Sequence, residues 1–177
     1  MKRLLLFFTS AILLAACSST DKKSTETTDT MTVDTSLAVS VGTLMEMVSG
    51  NTGEEVIIEG IVTHVCIHSG KRCFLKAYDS DNSIRVEAKG NIGGFNSELN
   101  GTRMAVRGTI RENRLSEAYI NEWEQKTLNQ KEQAELDENT CSAELANIKE
   151  MRDWMLANNK DFYSIYYIEG LDYKVLN

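Results

Sequence analysis

Five short segments rich in β-branched and aromatic residues, each bounded by turn residues, occupy most of the chain between residues 55 and 123. They span residues 55–67, 72–78, 84–88, 102–111 and 118–123. Apolar and charged residues alternate clearly in the third segment, where Ile84 and Val86 would face one side and Arg85 the other. Gly60 stands where the longest segment could bend. The pattern predicts five strands and therefore a fold that is mostly β.

The order of these elements resembles that of the OB-fold, a small five-stranded Greek-key barrel. A long first strand bent at a glycine leads into a meander of three strands, and a short helical or turn segment at 94–99 precedes two more. The resemblance covers residues 54–125 and implies an OB-like barrel domain over 41–126; another small barrel or an open sandwich is the alternative. It also implies a binding face on the second and third strands. Candidate binding residues there are Phe74, Lys76, Tyr78 and Arg85.

The rest of the C-terminal sequence predicts helices followed by a strand region. Residues 128–158 have helical composition, with Asn139 and Thr140 as a division between two helices and Ser142 as an N-cap of the second. The tail from 162 to 176 is typical of a terminal β-hairpin or of a strand plus an extension. We therefore expect a C-terminal helical extension with terminal strands over residues 127–177, and a short helix at 43–49 before the first strand.

The first seventeen residues have the pattern of a targeting segment. Two cationic residues, Lys2 and Arg3, precede an apolar run at 4–14 that is too short to span a bilayer. The run ends in Leu14-Ala15-Ala16-Cys17, which resembles the lipobox of bacterial lipoproteins. The resemblance implies a signal peptide at residues 1–16 and a diacylglycerol on the thiol of Cys17. An ordinary secretory signal or a short membrane anchor is the alternative.

Composition is consistent with a domain held on a tether at a membrane. Residues 17–40 are rich in Ser, Thr, Asp and Lys, so they cannot bury enough apolar surface to offset the entropy of ordering. The net charge of −7 argues against nucleic acid as a partner, because such binding is driven by Lys and Arg that neutralise phosphates. We expect a lipid-anchored protein of the cell envelope, at the outer membrane in preference to the inner, on either the periplasmic or the surface face.

A cluster of Cys and His residues is the main candidate for chemistry. His64, Cys66 and His68 alternate along the first strand and would therefore share one face. If residues 69–72 form a four-residue hairpin loop, Cys73 lies opposite His68 on that face. The cluster contains both histidines of the chain and two of its four cysteines.

Three interpretations of this cluster remain open. A Cys66–Cys73 disulfide would clamp the hairpin in an oxidising compartment. Alternatively, His64, Cys66, His68 and Cys73 would bind zinc or copper, since thiolate and imidazole suit both metals. In the third interpretation the side chains are packed or exposed and the thiols are reduced. With Cys17 acylated, Cys141 is left over as an odd thiol.

The sequence lacks the common catalytic motifs. It contains no Gly-x-Ser-x-Gly elbow, no phosphate-binding Gly-x4-Gly-Lys-Ser/Thr loop and no Cys-x-x-Cys pair. We therefore expect a binding or assembly module without catalytic activity or cofactor, whose partner is an envelope protein or a small ligand. The alternative is a metal-handling or redox protein that uses the Cys/His cluster.

Overall fold

The computed structural model describes residues 33–177 and contains six strands and three α-helices in that range. The expected signal peptide at residues 1–16, the expected lipidation site Cys17 and most of the expected tether lie outside the described residues. The strands are β1 (Val39–Ser40), β2 (Glu55–Val65), β3 (Arg72–Lys76), β4 (Ser83–Ala88), β5 (Arg103–Ser116) and β6 (Phe162–Leu176). The helices are α1 (Val41–Met47), α2 (Glu117–Glu132) and α3 (Glu138–Ala157), and 3-10 turns lie at Thr35–Leu37, Val48–Gly50 and Ser97–Leu99.

The six strands form one sheet in the order β1-β2-β3-β4-β6-β5, and β5 pairs back with β2 to close a barrel. The pairs β4–β6 and β1–β2 are parallel, and the others are antiparallel. The closed circuit β2-β3-β4-β6-β5 has the strand order of the OB-fold. The prediction of a mostly β, OB-like five-stranded barrel with C-terminal helices is confirmed.

The fifth barrel strand differs from the predicted one. Residues 118–123 lie in α2, because the side chain of Ser116 caps this helix by accepting from the backbone N–H of Tyr119. Ile120 and Thr127 recur on the buried face of α2 at helical spacing. The barrel is completed by β6 instead, so α2 and α3 are inserted between its last two strands. We call these two helices the helical hairpin.

The tail forms a single strand, since β6 runs through Gly170 without turning. A Cβ atom on Gly170 would lie 2.9 Å from Val86 Cγ1, and Gly170 pairs with Gly108 next to a β-bulge at Leu171 of β6. The two paired glycines let the backbones of β5 and β6 approach closely. Of the two expectations for the tail, the hairpin is not formed, and the tail is one strand of fifteen residues.

Beyond the barrel, β5 and β6 continue as a two-stranded extension. Residue pairs run from Arg103 with Leu176 to Ser116 with Phe162. Neither β2 nor β4 pairs with the part formed by residues 111–116 and 162–166. We call this part the ribbon. One of its faces packs on the helical hairpin, and the other remains accessible.

Two hydrophobic clusters follow from this arrangement. Seventeen buried residues fill the barrel and the space under α1, among them Leu44, Leu75 and Ile110. A second cluster lies between the ribbon and the helical hairpin. Its four buried residues are Leu115, Ile120, Ile148 and Met155.

Polar contacts join α2 to α3. The Oε2 atom of Glu144 accepts hydrogen bonds from Trp123 Nε1 at 3.1 Å and from the buried Thr127 hydroxyl at 2.7 Å. Asp137, rather than the predicted Ser142, caps α3 by accepting from the backbone N–H groups of Asn139 and Thr140.

The N-terminal end of the domain lies at one end of the β5–β6 pair. Val33 is buried, and β1 pairs with β2 at Ile58, so the folded region begins before the predicted boundary at residue 41. Thr35 shares a surface cleft with Arg103 and Lys174, which are at the opposite end of β5 and β6 from the helical hairpin. Across residues 33–177, every helix is too short or too polar to cross a bilayer.

Candidate functional site

The first hairpin has a different register from the one that the Cys/His pattern predicts. Strand β2 ends at Val65, and Cys73 pairs with Val65 rather than with His68. The loop is longer than predicted: the Cys66 N–H donates to Arg72 O at 2.9 Å, and the Gly70 N–H donates to Cys66 O at 2.8 Å. Because Val65 and Cys73 both point into the barrel, Cys73 is fully buried.

The residues of the predicted cluster are consequently not brought together. His64 pairs with Phe74 on the outer surface of the barrel, whereas Cys73 lies in the core. Within residues 33–177, no group of three or more His, Cys, Asp or Glu side chains is arranged to hold a metal ion. The physical reason is burial: the register that places Val65 inside turns its partner Cys73 inward as well.

The Cys66–Cys73 disulfide, one of the three interpretations of the cluster, is not found: Cys66, Cys73 and Cys141 are free thiols. Burial raises the pKa of Cys73 to about 12, so this thiol is unreactive at neutral pH. Cys66 is half-buried in the loop, and the hydrogen bond from Ser69 Oγ, at 3.6 Å, lowers the pKa of its thiol. Cys141 is buried in α3.

The predicted binding face brings Phe74 and Arg85 together. These residues are direct cross-strand partners on β3 and β4. The row continues on both sides, because Phe74 also pairs with His64 of β2 and Arg85 also pairs with Tyr167 of β6. We call His64, Phe74, Arg85 and Tyr167 the outer row. It joins four strands of the barrel into one surface.

Contacts along the outer row are close. The His64 and Phe74 rings are 6.0 Å apart between centroids, and the Arg85 guanidinium lies 4.9 Å from the centroid of the Tyr167 ring. Arg85 Nε is 3.3 Å from Glu87 Oε1, which also faces Arg72 at 3.4 Å. Yet Arg85 Nε is buried and makes no hydrogen bond of good geometry among the described residues. The Glu87 carboxylate therefore balances the charge of Arg85 without a well-aligned hydrogen bond to its Nε atom.

The other two predicted binding residues lie further along the barrel. Lys76 is on the same face of β3 as Phe74, but its ammonium group pairs with Asp81 at 2.8 Å. Tyr78 follows the end of β3, and its hydroxyl accepts a hydrogen bond of 3.2 Å from Arg103 Nε. This contact raises the pKa of Arg103. Together with Asp79, Lys76 and Tyr78 line a cleft that is separate from the outer row.

Two larger clefts flank the ribbon, and the sequence did not reveal either. One, of about 500 Å³, is mainly apolar and is lined by Leu115, Tyr119, Trp123, Met151 and Ile165. The other, which we call the polar cleft, has a volume of about 590 Å³ and is lined by Glu112, Arg114, Trp154, Lys160, Phe162 and Tyr166, among others. Both depend on the pairing of residues about fifty positions apart, a signal that local patterns do not contain.

Comparisons with known proteins identify no family for this chain. No protein-family model matches it, and no curated protein matches it. Among solved structures, it is similar to a DUF3299 family protein from Pseudomonas aeruginosa PAO1, with 11% sequence identity and a TM-score of 0.35. The similarity covers 71% of this chain and 63% of that chain, which is less than two thirds of the neighbour's length.

Proposed function

We propose that this chain is a lipid-anchored cell-envelope protein whose barrel binds a partner protein through the outer row. The observation that carries this proposal is the continuous line of His64, Phe74, Arg85 and Tyr167 across four strands. Aromatic residues and Arg are enriched at the energetic centres of protein interfaces. The module has no catalytic role in this proposal.

The shape of the surface favours a protein over a small molecule as the partner. Small ligands are bound in concave sites that enclose most of their surface. The outer row stands on the outside of a closed barrel, which is convex, so a partner must supply the concave side. The Arg85 guanidinium, which lies over the Tyr167 ring at 4.9 Å, would supply the charged group at the centre of that contact.

Site-specific photocrosslinking in intact cell envelopes tests the proposed face. A photoreactive amino acid in place of Phe74 should give a discrete adduct, whereas the same amino acid in place of the exposed Lys149 on α3 should not. Arg85→Glu should lower the adduct yield about tenfold, since reversing a charge at an interface centre costs over 1.4 kcal/mol. Lys149→Glu makes the same charge change elsewhere and should leave the yield unchanged. Equal adducts from both positions would refute the proposed face.

Membrane attachment through Cys17 is a separate part of the proposal and is supported by the Leu14-Ala15-Ala16-Cys17 sequence alone. Cells grown with an alkyne analogue of palmitate should label the full chain. Cys17→Ser should abolish the label and release the protein from membranes, while Cys141→Ser should retain both. Persistence of the label in the Cys17→Ser protein would show that this residue is not the acylation site.

A further inference from the structure

We propose that the polar cleft beside the ribbon is a second binding site, which takes a short uncharged saccharide. It is distinct from the outer row and does not depend on the function proposed for that face. The cleft has a volume of about 590 Å³, within the range of about 300–1,000 Å³ that small-molecule sites have.

The floor of the polar cleft is one face of the ribbon. Glu112 and Arg114 alternate on β5, and Phe162, Ser164 and Tyr166 alternate on β6, so all five point to the same side. Tyr166 is the direct partner of Glu112, and Ser164 is the direct partner of Arg114. Strands position side chains more firmly than loops do, so the floor is held in place without a ligand.

Glu112 organises the polar groups on this floor. Its Oε1 atom accepts from Ser164 Oγ at 2.6 Å and from the Tyr166 hydroxyl at 3.4 Å, and its Oε2 atom accepts from Arg114 Nε at 2.9 Å. The bonds from Ser164 and Arg114 lower the pKa of Glu112, so the carboxylate is ionised at neutral pH. These contacts fix three donors and leave the Ser164 and Tyr166 oxygens and Arg114 Nη1 to pair with ligand hydroxyls.

Aromatic rings provide the apolar part of the site. Trp154 stands at the rim with 39% of its surface exposed. It is held edge-to-face against Tyr163 at 5.3 Å, so its position does not depend on a ligand. Phe162 lies on the floor, under the Arg114 guanidinium at 4.4 Å. A pyranose ring combines a C–H face, which suits such rings, with a rim of hydroxyls, which suits the polar groups.

The charges of the cleft indicate an uncharged ligand. Arg114 is neutralised by Glu112 at 2.9 Å, and Asp161 also acts on the Arg114 charge. Lys160, the other cation, adjoins Asp161 in the chain and lies 5.9 Å from the Phe162 ring centroid. Two cations and one carboxylate line the cleft, and Asp161, which is next to the lining residues in the chain, offsets the second cation. Little net positive charge is left to recognise a phosphate. The Glu112 carboxylate in turn disfavours a purely apolar ligand.

Titration of the full chain with uncharged disaccharides tests the inference. The chain has two tryptophans, so a spectrum labelled with ¹⁵N shows two indole N–H signals, and Trp154→Phe assigns them. We expect at least one of N,N′-diacetylchitobiose, cellobiose, maltose and lactose to move the Trp154 signal with saturation near about 1 mM. The Trp123 signal should stay, because Trp123 Nε1 is bonded to Glu144 between the helices.

Two variants with matched controls decide whether the cleft is responsible. Arg114→Ala should weaken saccharide binding about tenfold. Arg111→Ala should not, because Arg111 is on the same strand but points to the other face, toward Glu169. Trp154→Ala should also weaken binding, and Leu156→Ala, an exposed position on the same helix, should not. Each variant is checked for folding by its amide spectrum.

Three outcomes would overturn the inference. One is that none of the four disaccharides moves the Trp154 signal at about 10 mM. Another is that affinity is equal in the Arg114→Ala and Arg111→Ala proteins. The last is that inorganic phosphate displaces the saccharide, which would make the polar cleft an anion site.

Discussion

The barrel and the ribbon with its helical hairpin are held together by different kinds of contact. Inside the barrel, seventeen buried residues form one cluster, and its five strands close on themselves through backbone pairing. The helical hairpin rests on the ribbon through four buried residues. Ion pairs between the two helices add to this small core, because Arg152 of α3 contacts Glu117 at 3.0 Å and Glu124 at 2.8 Å on α2.

This difference indicates where the molecule can change without losing its fold. A closed barrel depends on unbroken pairing between neighbouring strands. Substitutions should therefore destabilise it most at closely packed glycines and at core residues. The ribbon region depends on a few side chains, and it also carries the two larger clefts. Regions with small cores open more readily than the rest of a protein, so local unfolding should begin in the helical hairpin.

The largest effect on stability is expected where the glycines of β5 and β6 pair in the barrel. A Cβ atom on Gly108 would lie 2.5 Å from Ile168 Cγ2 and 2.6 Å from the backbone oxygen of Glu169. Gly108→Val should therefore lower the free energy of unfolding by about 4 kcal/mol or more, measured by urea denaturation. Gly93→Val is the matched control, since a Cβ at Gly93 meets nothing within 4 Å. Similar losses in both proteins would contradict the close approach of β5 and β6.

A matched pair of core substitutions should show whether the helical hairpin and the barrel unfold independently. Ile148→Ala in the helical hairpin and Ile84→Ala in the barrel each remove a buried isoleucine and should cost about 3 kcal/mol locally. We expect Ile148→Ala to speed hydrogen exchange in α2 and α3 while β2, β3 and β4 stay protected. Ile84→Ala should speed exchange in every element. If Ile148→Ala also exposes the barrel strands, the two regions unfold as one unit.

The bonds to Glu144 should contribute less than the core. Glu144→Ala leaves the buried Thr127 hydroxyl and Trp123 Nε1 without their acceptor. We expect a loss of about 2 kcal/mol in the free energy of unfolding. Glu150→Ala, at an exposed position of the same helix, should change stability by less than about 0.5 kcal/mol. An equal effect of the two substitutions would mean that the hairpin does not need these bonds.

The smallest effect is a pH dependence that comes from the ribbon. The bonds from Ser164 and Arg114 lower the folded-state pKa of Glu112 below its ordinary value of 4.5. The resulting stabilisation is present above pH 4.5 and is lost as the pH falls from there through the folded-state pKa. Glu112→Gln should remove this part of the acid destabilisation, and Ser164→Ala should reduce it, as measured by thermal unfolding between about pH 3 and pH 6. A Glu112→Gln curve parallel to that of the unchanged protein would contradict the assignment.

Much of the barrel could be predicted from sequence because its strands alternate in polarity. The first four predicted strands agree with β2 to β5, apart from their ends. The segment at 118–123 was predicted as a strand because it contains Tyr119, Ile120 and Trp123. Its helical state is set by the Ser116 cap and by packing on α3, and neither of these contributes to β-propensity.

The candidate site was predictable only in part, for a similar reason. Phe74 and Arg85 share a face because alternation along each strand is fixed, so the sequence could bring them together. The prediction that the Cys and His side chains share one face was wrong because it assumed a four-residue loop at 69–72. The observed loop is longer and places Cys73 opposite Val65. The polar cleft required the pairing of Glu112 with Tyr166, which strand patterns alone cannot assign.

The length of β5 determines which end of the domain would lie away from the membrane if the chain is anchored at its N-terminal end. Fourteen residues of extended strand span about 45 Å, from Arg103 near the N-terminal entry at Thr35 to Ser116 at the helical hairpin. If the thiol at position 17 holds the chain at a lipid surface, the attachment enters at the end farthest from both ribbon clefts. Solutes could then reach those clefts without competing with lipid headgroups for access.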